Sequence, residues 1–228
     1  MKIPECKNLD LAYETGVHIG DGSMYKMGKH NRVAYYGNYE TERKYFKNVL
    51  VPLVKSLFGK DVKVKHHGNE MYMAVYSKEL VSFKLNIVKL PAGNKSQLKC
   101  LPQFITNMGI ECTLQMIAGI FDTDGCVKLI KRRNGLYPRL RIALKNKEII
   151  FQIRNILSNV KITSTICHNT SYDIRVGKYR DSWSLDINGF KNLFKFIQLL
   201  SIRNFNHLRK IKVLNENFLT RNKAEISS

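Results

Sequence analysis

Acidic side chains are in short supply in this chain. Only 18 Asp and Glu stand against 38 Lys and Arg in 228 residues, leaving a formal charge of +20. An excess of that size repels itself, so a polyanionic partner is the natural compensation. Cysteine is also sparse: Cys6, Cys100, Cys112, Cys126 and Cys167 are odd in number and form no C-x-x-C pair. That argues against a disulfide framework and a zinc ribbon, and for a reducing, intracellular compartment, with cytoplasm, nucleoid and organelle matrix all suitable. His66, His67 and His168 complete no ligand set. No apolar run is long enough to span a bilayer, "MKIPECKNLD" has no signal-peptide apolar region, and no amphipathic basic anchor is found, so no membrane partner is expected.

The few acids present are placed unusually. In "TLQMIAGIFDTDGCVKL" an apolar, helix-like run breaks into two aspartates and a glycine, and "LAYETGVHIGDGSM" does the same near the N-terminus. Aligning the two puts Asp21 on Asp124, Gly16 on Gly119 and Gly22 on Gly125, each 103 residues apart. The same order of elements follows each: two strand-like runs, a helix, two more strands, a helix. The reading is α+β: two pseudo-symmetric αββαββα domains, each with a four-stranded antiparallel sheet. The first domain spans 1–90, a Pro/Gly/polar linker 91–110, and the second domain 111–228 with an extra C-terminal amphipathic segment. In the first half Thr41 is the expected cap of a helix that Pro52 should kink or loosen.

Strand alternation sorts the charge. In "YPRLRIALK", Arg139, Arg141 and Lys145 oppose Leu140, Ile142 and Leu144, while in "CVKLIKRR", Lys128 and Arg132 oppose Val127 and Leu129. In "DVKVKHHG", Lys63, Lys65 and His67 oppose Val62 and Val64, and in "NRVAYYGN", Arg32, Tyr36 and Asn38 share a side. Lys26 and Arg175 join this set. A solvated sheet face is the plain alternative, but an Arg/Lys/Tyr/Asn surface with few acids is the inventory for base edges and phosphates.

Residues 10–20 and 112–123 read as helices whose Thr15, Gly16, Ala118 and Gly119 form a small-residue seam. Glycine in a helix interior costs about 1 kcal/mol against Ala, which points to a packing role. Crossing on that seam would bring Asp21 and Asp124 together at two negative helix ends, a placement that opposes ionisation and that a divalent cation reverses. Hard oxygen ligands completed by phosphate and water suit Mg²⁺, with Mn²⁺ as substitute, and Gly20 and Thr123 are candidate metal-site residues beside Asp21 and Asp124. Gly22 and Gly125 are expected to turn the chain out of each helix with positive φ. Asp122, matched by Ile19 in the first half, is left outside the catalytic set.

At these residues the chain resembles the single-chain, two-motif LAGLIDADG homing endonucleases. "IAGIFDTDG" matches the family signature closely and "ETGVHIGDG" more loosely, departing at His18 and Ile19. The resemblance implies sheets forming a saddle over the DNA major groove. It also implies metal-dependent hydrolysis at Asp21 and Asp124, and a staggered break in a long, asymmetric double-stranded target cut by a monomer. It implies as well a lysine after the fourth strand near each cleavage centre, which falls on or near Lys78 as the group that would stabilise charge on the phosphate, while the second half has Asn188 at that place; Asn38 and Lys145 are candidates for organising active-site water. Two other readings stay open: an intron maturase holding RNA, and a catalytically silent DNA-binding regulator. An intein origin is less expected, because no splicing segment is recognisable around the endonuclease-like part.

Overall fold

A computed structural model describes residues 7–28, 30–133, 135–174 and 177–226. In chain order the first elements are α1 (Leu9–Asp21), β1 (Gly22–Met27), β2 (His30–Asn38), α2 (Tyr39–Tyr45), α3 (Val51–Phe58), β3 (Lys65–His67), β4 (Glu70–Tyr76), α4 (Lys78–Asn86) and α5 (Gln103–Thr106). Then come α6 (Ile110–Asp124), β5 (Gly125–Arg132), β6 (Gly135–Leu144), α7 (Lys147–Asn159), β7 (Thr165–Asp173), β8 (Lys178–Asn188), α8 (Phe190–Leu199) and α9 (Phe205–Ile226). The strands form two antiparallel four-stranded sheets of matching order, β1-β2-β4-β3 and β5-β6-β8-β7. The expected αββαββα repeat is therefore present twice.

The chain divides into two compact units, Met1–Asp124 and Gly125–Ser228. The division falls at the end of α6, not in the expected 91–110 linker, because α6 is packed along α1. The linker itself is anchored: Leu98, Leu101 and Ile105 are buried, and the Gly93 N–H donates to the Met24 carbonyl at 2.8 Å. In the second unit, the extra C-terminal segment is α9, which packs on β5 and β6.

Local chemistry explains the helix ends. Asn8, Ser77 and Asn146 cap α1, α4 and α7 by accepting from N–H groups three residues on. The cap of α2 is Asn38, whose Oδ1 accepts from the Thr41 N–H at 3.1 Å. Thr41 is thus the group being capped, not the cap. Pro52 loosens its helix as expected: the preceding turn, Phe46–Leu50, is π-helical, and the Val51 N–H reaches back to Phe46. Neither Gly22 nor Gly125 takes a positive φ, contrary to expectation. Gly22 is extended (φ −77°, ψ 157°), and a Cβ there would lie 2.5 Å from the His18 Cα, so closeness to the preceding helical turn is what requires glycine.

Each sheet has one buried face. Met24, Val33, Tyr35, Met71, Met73 and Val75 line that of the first, and Val127, Leu140, Ile142, Leu185 and Ile187 that of the second. The opposite faces are polar and partly exposed.

Candidate active site and nucleic-acid interface

Glycine sets the α1–α6 distance. A Cβ added to Gly16 would sit 2.9 Å from the Ile120 nitrogen and collide with the Met116 carbonyl; one on Gly119 would sit 2.8 Å from the Val17 nitrogen and collide with the Tyr13 carbonyl. The contacts are reciprocal at the 103-residue spacing, as two crossing helices require. Thr15 and Ala118 are fully buried beside them, with the Thr15 hydroxyl turned back onto the Leu11 carbonyl at 2.8 Å.

This crossing brings the motif ends together. A Cβ on Gly20 would lie 3.1 Å from Asp124 Oδ2 and run into the Thr123 side chain, so the second motif's carboxylate reaches the residue before Asp21. Burial, and then the neighbouring Asp21, push Asp124 up to about 7. Asp21 is likewise raised by burial. Opposed ionisation was expected of two carboxylates at negative helix ends; burial as its largest cause was not. Thr123 donates its hydroxyl to Gly119 and Ile120 carbonyls at 3.0 and 3.1 Å, within its own helix.

The cation that faces this pair was not anticipated. Lys95, in the linker, donates its ammonium to the Gly20 carbonyl, and its charge partly offsets the raised affinity of both aspartates for protons. Lys78 occupies the first position of α4 and is exposed. Nothing in the pattern around "PAGNK" marked Lys95, because its role arises from how the linker folds back.

Two buried networks were also unpredicted. Lys84, fully buried on α4, donates to both oxygens of Glu14 at 2.7 Å, and the Tyr35 hydroxyl donates to the same carboxylate. The Tyr13 hydroxyl donates to Asp122 Oδ2 at 2.5 Å and lies 2.8 Å from the Tyr45 hydroxyl, which gives Asp122 the structural role its single occurrence implied. His18 is buried edge-on to Tyr35; burial and the charges of Lys84 and Lys95 hold it well below the usual imidazole range, so it is neutral.

The sheet registers test the expected reading surface. On the first sheet Tyr25, Arg32, Tyr36, Tyr72, Lys65 and His67 share the polar face. On the second, Lys128, Arg132, Arg139 and Arg141 do. Three expectations need correction. Lys26 pairs with Asn31 on the side of Met24 and Val33, one residue out of phase with Arg32. Lys63 precedes β3 and Lys145 follows β6, so neither is in a strand. Asn38 lies on the polar face, but its oxygen is used in capping α2. Arg175 lies outside the described residues.

Among the described residues no group of three or more His, Cys, Asp and Glu could hold a metal. The hard oxygens of the Asp21–Asp124 pair, whose charge Lys95 offsets only in part, fit a divalent cation whose remaining ligands would come from phosphate and water.

Comparisons with known proteins bear on the fold. Residues 111–200 match the family described as LAGLIDADG-like domain. The fold is that of I-DmoI in complex with DNA and Mn (TM-score 0.59, 20% identity, 84% of this chain and 97% of that one). It is shared by the LAGLIDADG homing endonuclease I-GzeII in complex with its DNA target (TM-score 0.53, 10% identity, 96% and 91%). The LAGLIDADG meganuclease I-AabMI bound to uncleaved DNA is similar too (TM-score 0.57, 10% identity, 95% and 92%). A DNA polymerase of Thermococcus sp. (strain GE8) is 27% identical over 194 residues, which is 79% of this chain and 10% of the polymerase.

Proposed function

We propose that this chain, with its LAGLIDADG-like domain and the fold of the LAGLIDADG homing endonucleases, is a site-specific DNA endonuclease. It would make a staggered double-strand break at a long, asymmetric target by Mg²⁺-dependent hydrolysis, in the manner of intron homing. The observation that carries this reading is the Asp21–Asp124 pair: two half-buried carboxylates, raised in pKa, at the ends of tightly crossed helices. Such a pair opposes stability, so its presence speaks for ligand binding. I-DmoI, one of the similar structures, is known in complex with DNA and Mn and in complex with DNA and Ca.

Asp21 and Asp124 are the residues that would hold the cation. When bound, a divalent cation supplies Lewis acidity to a phosphoryl oxygen and acidity to a water molecule. The chain's own contribution is arrangement. Gly16 and Gly119 fix the separation of the carboxylates, and Gly20 leaves room for the Asp124 side chain. Lys95 ties down the last turn of α1 and offsets the charge of the pair, favouring the ionised form that can act as ligand. The polar face of each sheet supplies phosphate and base contacts.

The test is a cleavage assay. A duplex recovered by binding from a randomised pool should be cut on both strands in Mg²⁺, with a stagger between the nicks. A duplex that is bound tightly and never cut would leave only a DNA-binding protein.

A further inference from the structure

The first half buries polar side chains where the second half buries apolar ones. At the 103-residue spacing Glu14 falls on Ile117 and His18 on Phe121. Tyr35 is the cross-strand partner of Gly22, and Ile142 that of Gly125. Lys84 and Phe196 stand equally far from the caps of their helices, Ser77 and Gly189. All eight side chains are buried. The repeated fold is therefore built once with Lys84, Glu14, Tyr35 and His18 at these positions, and once with Phe196, Ile117, Ile142 and Phe121. A well-packed apolar set is commonly as stable as a buried ion pair or more so, and stability alone does not account for the polar version.

What the polar set adds is direction. Its members form a line of contacts that ends at Asp21. Lys84 donates to both oxygens of Glu14 at 2.7 Å, and the Tyr35 hydroxyl donates to the same carboxylate. The Tyr35 ring meets His18 edge-on, with 6.0 Å between ring centres and 89° between planes. His18 in turn lies against Gly22, where an added Cβ would be 2.6 Å from the His18 Cγ, and the Gly22 N–H donates to the His18 carbonyl. Gly22 is the residue bonded to Asp21. Hydrogen bonds constrain angle as well as distance, whereas apolar packing tolerates several arrangements of similar volume. Lys84 and Glu14 together carry no net charge, so what travels along this line is position.

Building on the endonuclease reading, we propose that Lys84, Glu14, Tyr35 and His18 are positioning residues for Asp21, fixing the last turn of α1 so that its carboxylate is held in place for the divalent cation. At the corresponding places around the second motif, apolar side chains stand instead. The two carboxylates of the pair are thus held by unlike means.

The experiment compares wild type with E14L/Y35F/K84M, which gives the first half an apolar set like that of the second, and with Y35F, which removes a single oxygen. On a duplex selected by wild type from a randomised pool, it measures thermal unfolding, duplex affinity and cutting. It also measures Mn²⁺ taken up by the protein–duplex complex beyond that taken up by the duplex alone, counted from the paramagnetic resonance signal of the free ion. The triple variant should unfold within a few degrees of wild type and bind the duplex within a few-fold. It should nevertheless need roughly 10-fold more Mn²⁺, or more, to half-fill the site. Its cutting rate at saturating duplex should fall by a similar factor in low Mg²⁺ and recover as Mg²⁺ is raised, which a merely structural loss would not do. Y35F should shift the Mn²⁺ requirement in the same direction, and it decides the matter where the triple variant does not unfold cooperatively. A folded variant that fills with Mn²⁺ and cuts like wild type overturns the proposal and leaves the endonuclease reading standing. So does lost cutting that extra Mg²⁺ fails to restore while Mn²⁺ uptake is unchanged. If wild type itself neither cuts the duplex nor takes up Mn²⁺ beyond the duplex's own, the endonuclease reading fails, which is a separate result.

Discussion

Gly16 and Gly119 meet where α1 crosses α6, each against the other helix's backbone with no room for a methyl group on either side. The crossing distance, and with it the convergence of Asp21 and Asp124, depends on the absence of two side chains. Gly16→Ala or Gly119→Ala should destabilise the fold by about 3 kcal/mol or more, since the obstacle is backbone and cannot rotate away. Thermal unfolding measures it; an unchanged melting temperature would mean the helices can separate at no cost.

The Asp124 carboxyl is raised from its ordinary 3.8 to about 7. Between those values the folded chain keeps a proton that the unfolded chain has lost. Stability from this group therefore falls as pH rises through that window and is flat above it. Metal-free wild type should lose stability from pH 4 to 7 relative to Asp124→Asn, and Mg²⁺ at pH 8 should narrow the gap. Parallel pH profiles for the two proteins would show that the carboxyl is not strained.

Lys95 lowers the proton affinity of both aspartates. Lys95→Met should accordingly move the acidic limb of the cleavage pH profile to higher pH and slow cutting at neutral pH by 10-fold or more (roughly the effect of one well-placed charge). Binding of the same duplex should change only a few-fold. A slower reaction with the same pH profile would assign Lys95 to phosphate contact instead.

Lys84 and Glu14 form a fully buried ion pair. Removing one partner strands the other, so Lys84→Met should cost roughly 3–5 kcal/mol, whereas the double change with Glu14→Gln should recover much of it. Chemical denaturation of the three variants tests this; additive losses would show that the two groups do not depend on each other.

How much of this was legible beforehand differs by the range of the interaction concerned. Periodicity and the 103-residue echo disclosed the repeated order of elements, the helix crossing and the paired aspartates, because each is a local pattern written twice. Strand alternation put Arg32, Lys128 and Arg139 on the correct face, yet it cannot say where a strand stops, and so Lys63 and Lys145 fell just outside. Lys26 is out of phase because Met24, not the charge, sets which side of β1 is buried. Lys95 and the Lys84–Glu14 pair were invisible for a common reason. Each joins residues distant in sequence and depends on packing that no window of residues contains. Gly22 was correctly marked as special but for the wrong cause, since a glycine required by close approach looks the same in sequence as one required by a positive φ.

The account rests on Asp21 and Asp124 acting together, and cleavage by Asp21→Asn and Asp124→Asn measures this most directly. On a duplex that wild type cuts in Mg²⁺, both variants should retain binding within a few-fold and make no double-strand break. Cutting by Asp124→Asn at the wild-type rate would contradict the account.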